Sequence, residues 1–290
     1  MTGHAALPSL SLPEAYAAAE QLVRQRSQTF RRATLLLPRD RRRAMWTAYA
    51  FFRQMDDMAD RAGVSPDEFH RWREQALRPA AAQSDPILLA WADVRQRYGV
   101  DERYVRELLD GIEMDLAPRR FETLEELYGY CHHVASTVGL MAAPILGLRR
   151  GVTFEQAMPY AEKMGIALQI TNILRDVAED LDHGLICLPR AELAAVGLTF
   201  ADVEARVCDQ RFRNLMARLI ALNRQLYADA WPGVRQLAWQ GRLGLGLGGN
   251  AYRALLDEIE HHNYDVFTHR PHVGRLRLVG VLLSGAAGSL

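Results

Sequence analysis

Two acidic clusters, Asp56-Asp57-Met58-Ala59-Asp60 and Asp176-Val177-Ala178-Glu179-Asp180, lie in long stretches of helical periodicity and repeat one Asp-x-x-x-Asp spacing. Residues four apart sit one above the other on a helix, so Asp56 with Asp60, and Asp176 with Asp180, each present two carboxylates from one face. The flanking sequence is apolar: Met45-Trp46, residues 48–52 and 166–168, Ile170 and Ile173-Leu174. Buried charges are costly unless they are paired or bound to metal. Magnesium takes oxygen ligands and is commonly held by one or two carboxylates together with substrate phosphates. Two such pairs lining a helical bundle would clamp a diphosphate.

Both clusters extend into polar stripes. Stepping back from Asp60, helical spacing meets Asp56, Arg53 and Tyr49, which puts metal ligands, a fixed cation and a phenol on one face. Stepping back from Asp180 it meets Asp176, Asn172, Gln169 and Gly165, polar where an ordinary buried helix is apolar. A single such motif is more often a solvated face or a capping feature. The doubling, the apolar flanks and a lack of Lys or Arg partners four residues away favour a metal site here.

The chain has 290 residues, 49% hydrophobic, enough to bury a sizeable core. We expect residues 1–13 to form a disordered tail and 14–290 a single domain. Helical periodicity covers about 14–26, 39–60, 66–78, 87–98, 101–115, 123–147, 154–182, 203–239 and 249–268, with little strand alternation. Thr123 ahead of Glu126 has the pattern of a capping box. The expected fold is all-α.

Thirty-five basic residues balance thirty-five acidic ones, so no global field attracts nucleic acid, and no such partner is expected. Lys163 is the one lysine, so cations at a phosphate site must be arginines, which form forked hydrogen bonds to phosphate. The arginine-rich run 39–43 reads as a solvated helix start or as a membrane-surface patch. Cys131, Cys187 and Cys208 show no disulfide or zinc spacing, consistent with a reducing cytoplasm. The N-terminus has no secretory pattern. The apolar stretches 138–148 and 278–290 are too short to span a bilayer and would support surface association at most.

Gly244-Leu245-Gly246-Leu247-Gly248-Gly249 satisfies GxGxxG, but no strand precedes it, so a flexible helix connection is expected and neither nicotinamide nor flavin is. The adjacent pairs His132-His133 and His261-His262 point to different sides of a helix and cannot share a metal. Phe30, Trp46, Phe51 and Phe52 read as core, with the further capacity of ring faces to steady a carbocation.

Several segments together resemble the squalene/phytoene synthase family. They are Ser27-Gln28-Thr29-Phe30, Leu36-Leu37-Pro38, Tyr49-Ala50-Phe51-Phe52-Arg53 running into the first cluster, and Asp110-Gly111-Ile112-Glu113-Met114-Asp115. Next come Tyr130-Cys131 with Val134-Ala135-Ser136-Thr137-Val138-Gly139, and Gln169-Ile170-Thr171-Asn172-Ile173-Leu174-Arg175-Asp176, with Tyr252 and Arg270 matching a C-terminal motif. The resemblance runs from about residue 14 to 275. It implies an isoprenoid-synthase helical bundle around a deep apolar cavity, with Asp56, Asp60, Asp176 and Asp180 as ligands of magnesium or manganese and Asn172 assisting. Arg53, Arg175 and Arg270 with Tyr49 and Tyr252 would hold diphosphate, while Ser27, Gln28, Thr29, Phe30, Thr34 and Gln169 would line the substrate site. In such a reaction one allylic diphosphate ionises and is attacked by a second molecule, giving a cyclopropylcarbinyl diphosphate that ionises again and rearranges to a hydrocarbon.

This sequence departs from the family pattern at Gln28, where lysine is usual, and at Leu185 and Cys187, where arginine and tyrosine are usual. A late lysine is also missing. The small Ala33 and Thr34 and the segment Ala142-Ala143-Pro144 favour geranylgeranyl diphosphate as substrate and phytoene as product. A farnesyl diphosphate-based reaction giving dehydrosqualene or presqualene diphosphate is the alternative, and a non-catalytic binding or assembly protein a further one. The resemblance implies isoprenyl diphosphate partners in the cytoplasm, at the inner membrane surface, and leaves the oligomeric state open.

Overall fold

The computed structural model describes residues 10–59, 64–115 and 119–274. In chain order the helices are α1 (Leu12–Arg26), α2 (Gln28–Ala33), α3 (Arg39–Ala59), α4 (Pro66–Leu77), α5 (Pro86–Tyr98), α6 (Glu102–Asp115) and α7 (Leu124–Cys131). A π-helical turn, His132–Ser136, follows, and then α8 (Thr137–Leu146), α9 (Phe154–Arg175), α10 (Val177–Asp182), α11 (Arg190–Ala195), α12 (Phe200–Glu204), α13 (Gln210–Ala230) and α14 (Trp239–His261). Among the described residues extended pairing is limited to two isolated bridges, Arg120 with Ile186 and Leu148 with Leu237. The all-α expectation is met.

The chain divides into two compact units, Met1–Val105 and Arg106–Leu290. In the first, α1, α3 and α5 pack on one another. Ser11 starts α1 with a capping box to Glu14, two residues before the expected start. Phe51 of α3 is fully buried and stacks on Trp91 of α5 at 4.9 Å between ring centroids. Phe51 and Trp46 are therefore core, as the sequence suggested.

In the second unit α9 packs against α13, α8 and the π-turn. Leu174 and Ile173 of α9 join Phe212, Leu219 and Ile220 of α13 in a continuous apolar core. Gly165 lets α9 approach the π-turn closely, since a Cβ there would stand 2.5 Å from the Ser136 Cα.

Four local expectations need correction. The glycine run 244–249 is helical, inside α14 rather than a connection. Close packing is found at Gly249, where a Cβ would lie 3.1 Å from the Trp231 ring, whereas a Cβ on Gly244 or Gly248 would meet nothing within 4 Å. The expected helix 203–239 is interrupted, because Arg206 takes a left-handed φ of 55° and the Asp209 carboxylate accepts from the N–H groups of Arg211 and Phe212 to start α13 afresh. Thr123 caps α7, but Glu126 reaches back to the N–H of Glu122 instead of completing a box with Thr123. Finally, α9 and α10 are separate, with Asp176 between them at φ −102° and ψ 16°. The bonds from Asp176 N–H to Asn172 O (2.9 Å) and from Asp180 N–H to Asp176 O (2.8 Å) persist, so the axis is disturbed at the acidic cluster without losing these two links.

Candidate active site

The predicted site residues fall in both units, and each group is built separately. In the first unit, Ser27 caps α2 by accepting from the Phe30 N–H at 3.2 Å. Phe30 stacks on Tyr49 of α3 at 4.9 Å, so an aromatic wall flanks the acidic stripe. Gln28 and Thr29 are exposed, and the Gln28 amide donates to the Arg24 carbonyl at 2.6 Å. Thr34 is buried; its hydroxyl accepts from the Trp46 indole N–H at 2.8 Å and donates to the backbone of α2.

Asp56 is half-buried on α3, and Asp60 lies outside the described residues. Arg53 pairs with Asp57 at 2.5 Å, one helical turn on, and Arg26 approaches the same carboxylate at 3.3 Å. The expectation that neither cluster has an Arg partner four residues away is therefore wrong for the first. The step from 53 to 57 is present in the sequence, but the reading fixed on 56 and 60 passes over it. A cleft of about 260 Å³ opens beside Asp57, lined among others by Gln54, Met58, Trp72 and Leu88.

In the second unit the structure brings most of the predicted residues together. The Asn172 amide N–H donates to Gln169 at 3.4 Å, while the buried Asn172 Oδ1 has no hydrogen-bond partner. Arg175 grips the Asp176 carboxylate with two donors, Nε at 2.8 Å and its terminal nitrogen, with Tyr252 within electrostatic reach. These bonds hold the Arg175 pKa above its ordinary value. Arg270, beyond α14, reaches Asp176 at 3.1 Å and Glu179 at 2.7 Å.

Asp180 sits where α10 turns into the 185–188 segment, against the Cys187 thiol. Burial, reinforced by the charges of Asp176 and Glu179, pushes its pKa from 3.8 up to about 6, against a hydrogen bond from Cys187 that lowers it. Burial likewise raises the thiol. Within electrostatic reach of the thiol is a group the sequence did not point to: Asp115 of α6, paired with Arg119 at 2.6 Å and accepting from the Tyr130 hydroxyl at 3.1 Å. The Arg119 guanidinium lies over the Tyr130 ring at 4.2 Å. Asp115 and Tyr130 belonged to motifs already noted, but nothing in their spacing pointed towards Cys187.

Among the described residues no three His, Cys, Asp or Glu side chains form a group able to hold a metal ion on their own. The donor set fits a cation shared with a substrate instead. It offers oxygen only, includes an orphaned amide oxygen aimed nowhere else, and contains a carboxyl whose charge burial disfavours, all of which a hard cation would relieve.

The squalene/phytoene synthase family model matches residues 23–277. This chain belongs to the squalene/phytoene synthase family. It is 35% identical to phytoene synthase 1, chloroplastic, of Zea mays over 275 residues, spanning 93% of this chain and 67% of the relative. It is 36% identical to the 15-cis-phytoene synthase of Synechococcus elongatus, spanning 91% and 89%. The fold superposes on a solved dehydrosqualene synthase with a TM-score of 0.85 and 25% identity, covering 96% and 97% of the two chains. A squalene synthase from Alicyclobacillus acidocaldarius shares the fold at a TM-score of 0.81.

Proposed function

We propose that this chain is a prenyltransferase that joins two geranylgeranyl diphosphates head to head to give phytoene, in carotenoid biosynthesis. The observation that carries the reading is its 36% identity to a 15-cis-phytoene synthase over 91% of its length. The fold similarity to a dehydrosqualene synthase supports a second reading, in which farnesyl diphosphate is the substrate.

In the proposed reaction Asp56, Asp60, Asp176 and Asp180, with the Asn172 amide oxygen, hold magnesium, or manganese in its place. The chemistry such cations supply is neutralisation of the charge that grows on the departing diphosphate. Arg175, Arg270 and Tyr252 are grouped to take diphosphate oxygens, and Arg53 and Tyr49 serve the same purpose on α3. The orientation of Asn172 by Gln169 aims its oxygen. Arg119 and Tyr130 supply, beside Cys187, the guanidinium and phenol that relatives carry at the positions of Leu185 and Cys187. Long-tailed substrates and a hydrocarbon product place the reaction at the cytoplasmic face of a membrane; no helix of the described residues is long and apolar enough to cross one.

The test is turnover of radiolabelled geranylgeranyl diphosphate with magnesium. Asp56→Asn and Asp176→Asn are each expected to lose activity by on the order of 100-fold or more, the scale of removing a key electrostatic stabiliser, with helicity unchanged. Excess chelator should abolish turnover in the parent. Near-normal product formation by both variants contradicts the reading.

A further inference from the structure

The turn between α2 and α3 holds two leucines in water. Leu35 is 47% exposed and Leu36 54% exposed, yet their neighbours Thr34 and Leu37 are buried, at 6% and 5%. Those two residues are anchors. The Thr34 hydroxyl is fixed by the Trp46 indole and the α2 backbone, and the Leu37 N–H donates to the Thr34 carbonyl at 3.1 Å. Arg42 donates to the Leu35 carbonyl at 3.1 Å while its guanidinium lies 5.5 Å from the Trp46 ring centre. The turn is thus built to a defined shape and does not fold its leucines inwards, although burying apolar side chains is favourable.

The same segment is strongly basic on a chain whose charges cancel overall. Between residues 31 and 43 there are six arginines and one acidic residue, Asp40. Arg32, Arg39 and Arg43 are exposed, the first two immediately flanking the turn. An exposed apolar tip with exposed arginines on both sides of it in the chain matches the interface of an anionic bilayer, where side chains enter the acyl boundary and guanidinium groups meet phosphate. A second copy of the chain is a poor occupant, since pairing this patch with itself sets like charges against each other. Nucleic acid gives no use to the leucines.

We propose that the Leu35-Leu36 turn, with Arg32 and Arg39 beside it, docks this protein on the anionic surface of a lipid bilayer. The proposal gives the membrane association put forward under the proposed function a specific surface, and it rests on that reading only for its purpose, not for its physics.

The experiment is co-sedimentation of the full chain, without substrate, with phosphatidylcholine vesicles and with vesicles containing phosphatidylglycerol, at low and high salt. The parent is expected to bind the anionic vesicles, and more weakly as salt screens the charges. Arg32→Gln with Arg39→Gln should weaken binding by on the order of 10- to 30-fold, from about 1 kcal/mol per charge. Leu35→Ser with Leu36→Ser should weaken it by about 10-fold or more. All four positions are exposed, so circular dichroism and thermal midpoint should stay at parental values. Equal binding to neutral vesicles, or parental binding by both double variants, overturns the proposal and puts any membrane contact elsewhere. Concentration-dependent self-association, abolished by the leucine changes and without vesicle binding, overturns it in favour of a second copy. Turnover of detergent-dispersed substrate reports on the proposed reaction separately, so failure of one reading is distinguishable from failure of the other.

Discussion

Asp176 accepts from two arginines in this structure, and both belong to the set expected to bind diphosphate. If Asp176 serves as a cation ligand, as proposed, its carboxylate would have to exchange these arginines for the cation, which would leave them available to take diphosphate oxygens. Arg270 is the more exposed and reaches from outside the helices, so it is the one whose removal leaves the local fold in place. Arg270→Ala is expected to tighten binding of manganese alone by a few fold, because a competing counter-ion is lost, and to weaken binding of inorganic diphosphate. Electron paramagnetic resonance titration and calorimetry measure the two separately. Loss of both affinities together would instead make Arg270 a support of the site. The two aspartate pairs were legible from their spacing and Asn172 only as part of the polar stripe behind Asp176, its assisting role coming from the family resemblance; Asp60 lies outside the described residues. The grip of Arg175 on its own neighbour was not legible, because residues adjacent in sequence point to different sides of a regular helix and meet only where the helix is interrupted, as it is at Asp176.

At the scale of helices, α9 carries Gln169, Asn172 and Arg175, and what lies behind it sets where they point. Thr171 is fully buried on its other side, accepting from Asn223 at 2.9 Å and sharing a hydrogen bond with the Tyr227 hydroxyl at 2.9 Å. At its middle α9 is held against the π-turn at Gly165. Gly165→Ala is expected to destabilise the protein by about 1–3 kcal/mol, the usual cost of overpacking, and to lower turnover by displacing the polar stripe. Urea denaturation checks the first effect and steady-state kinetics the second. Unchanged stability would mean that the π-turn yields freely. The periodicity of α9 was plain in the sequence, whereas the π-turn was not, since one extra residue in a turn barely alters the apolar pattern. The glycine run of α14 misled for a related reason. Propensity counts the cost of each glycine locally, while the close approach at Gly249 is to Trp231, outside the helix.

At the scale of the molecule, nearly every segment buries one helical face, so the all-α class could be read directly. Helix ends were less visible, because they rest on single capping contacts such as Asp209 or on a left-handed residue such as Arg206. The unity of 14–290 as one domain was an expectation from the absence of linkers; by compactness the structure divides at residue 105, within α6, where no proline, glycine or charge run marks it. Chain-length preference was argued from Ala33 and Thr34, and Thr34 proves to be tied to Trp46. Thr34→Phe would therefore strand the indole N–H as well as add bulk, and the loss of a buried partner should cost about 1–3 kcal/mol in thermal or chemical unfolding. A shift in substrate preference from that variant must be read against this loss.

The central claim is a metal-dependent head-to-head condensation of twenty-carbon diphosphates. It is tested most directly by mass spectrometry of the products formed when geranylgeranyl and farnesyl diphosphates are supplied separately with magnesium. The account predicts phytoene from geranylgeranyl diphosphate, none in the presence of chelator, and little thirty-carbon product from farnesyl diphosphate. Hydrocarbon from farnesyl diphosphate alone would contradict the assigned substrate, and no condensed product from either would contradict the reaction itself.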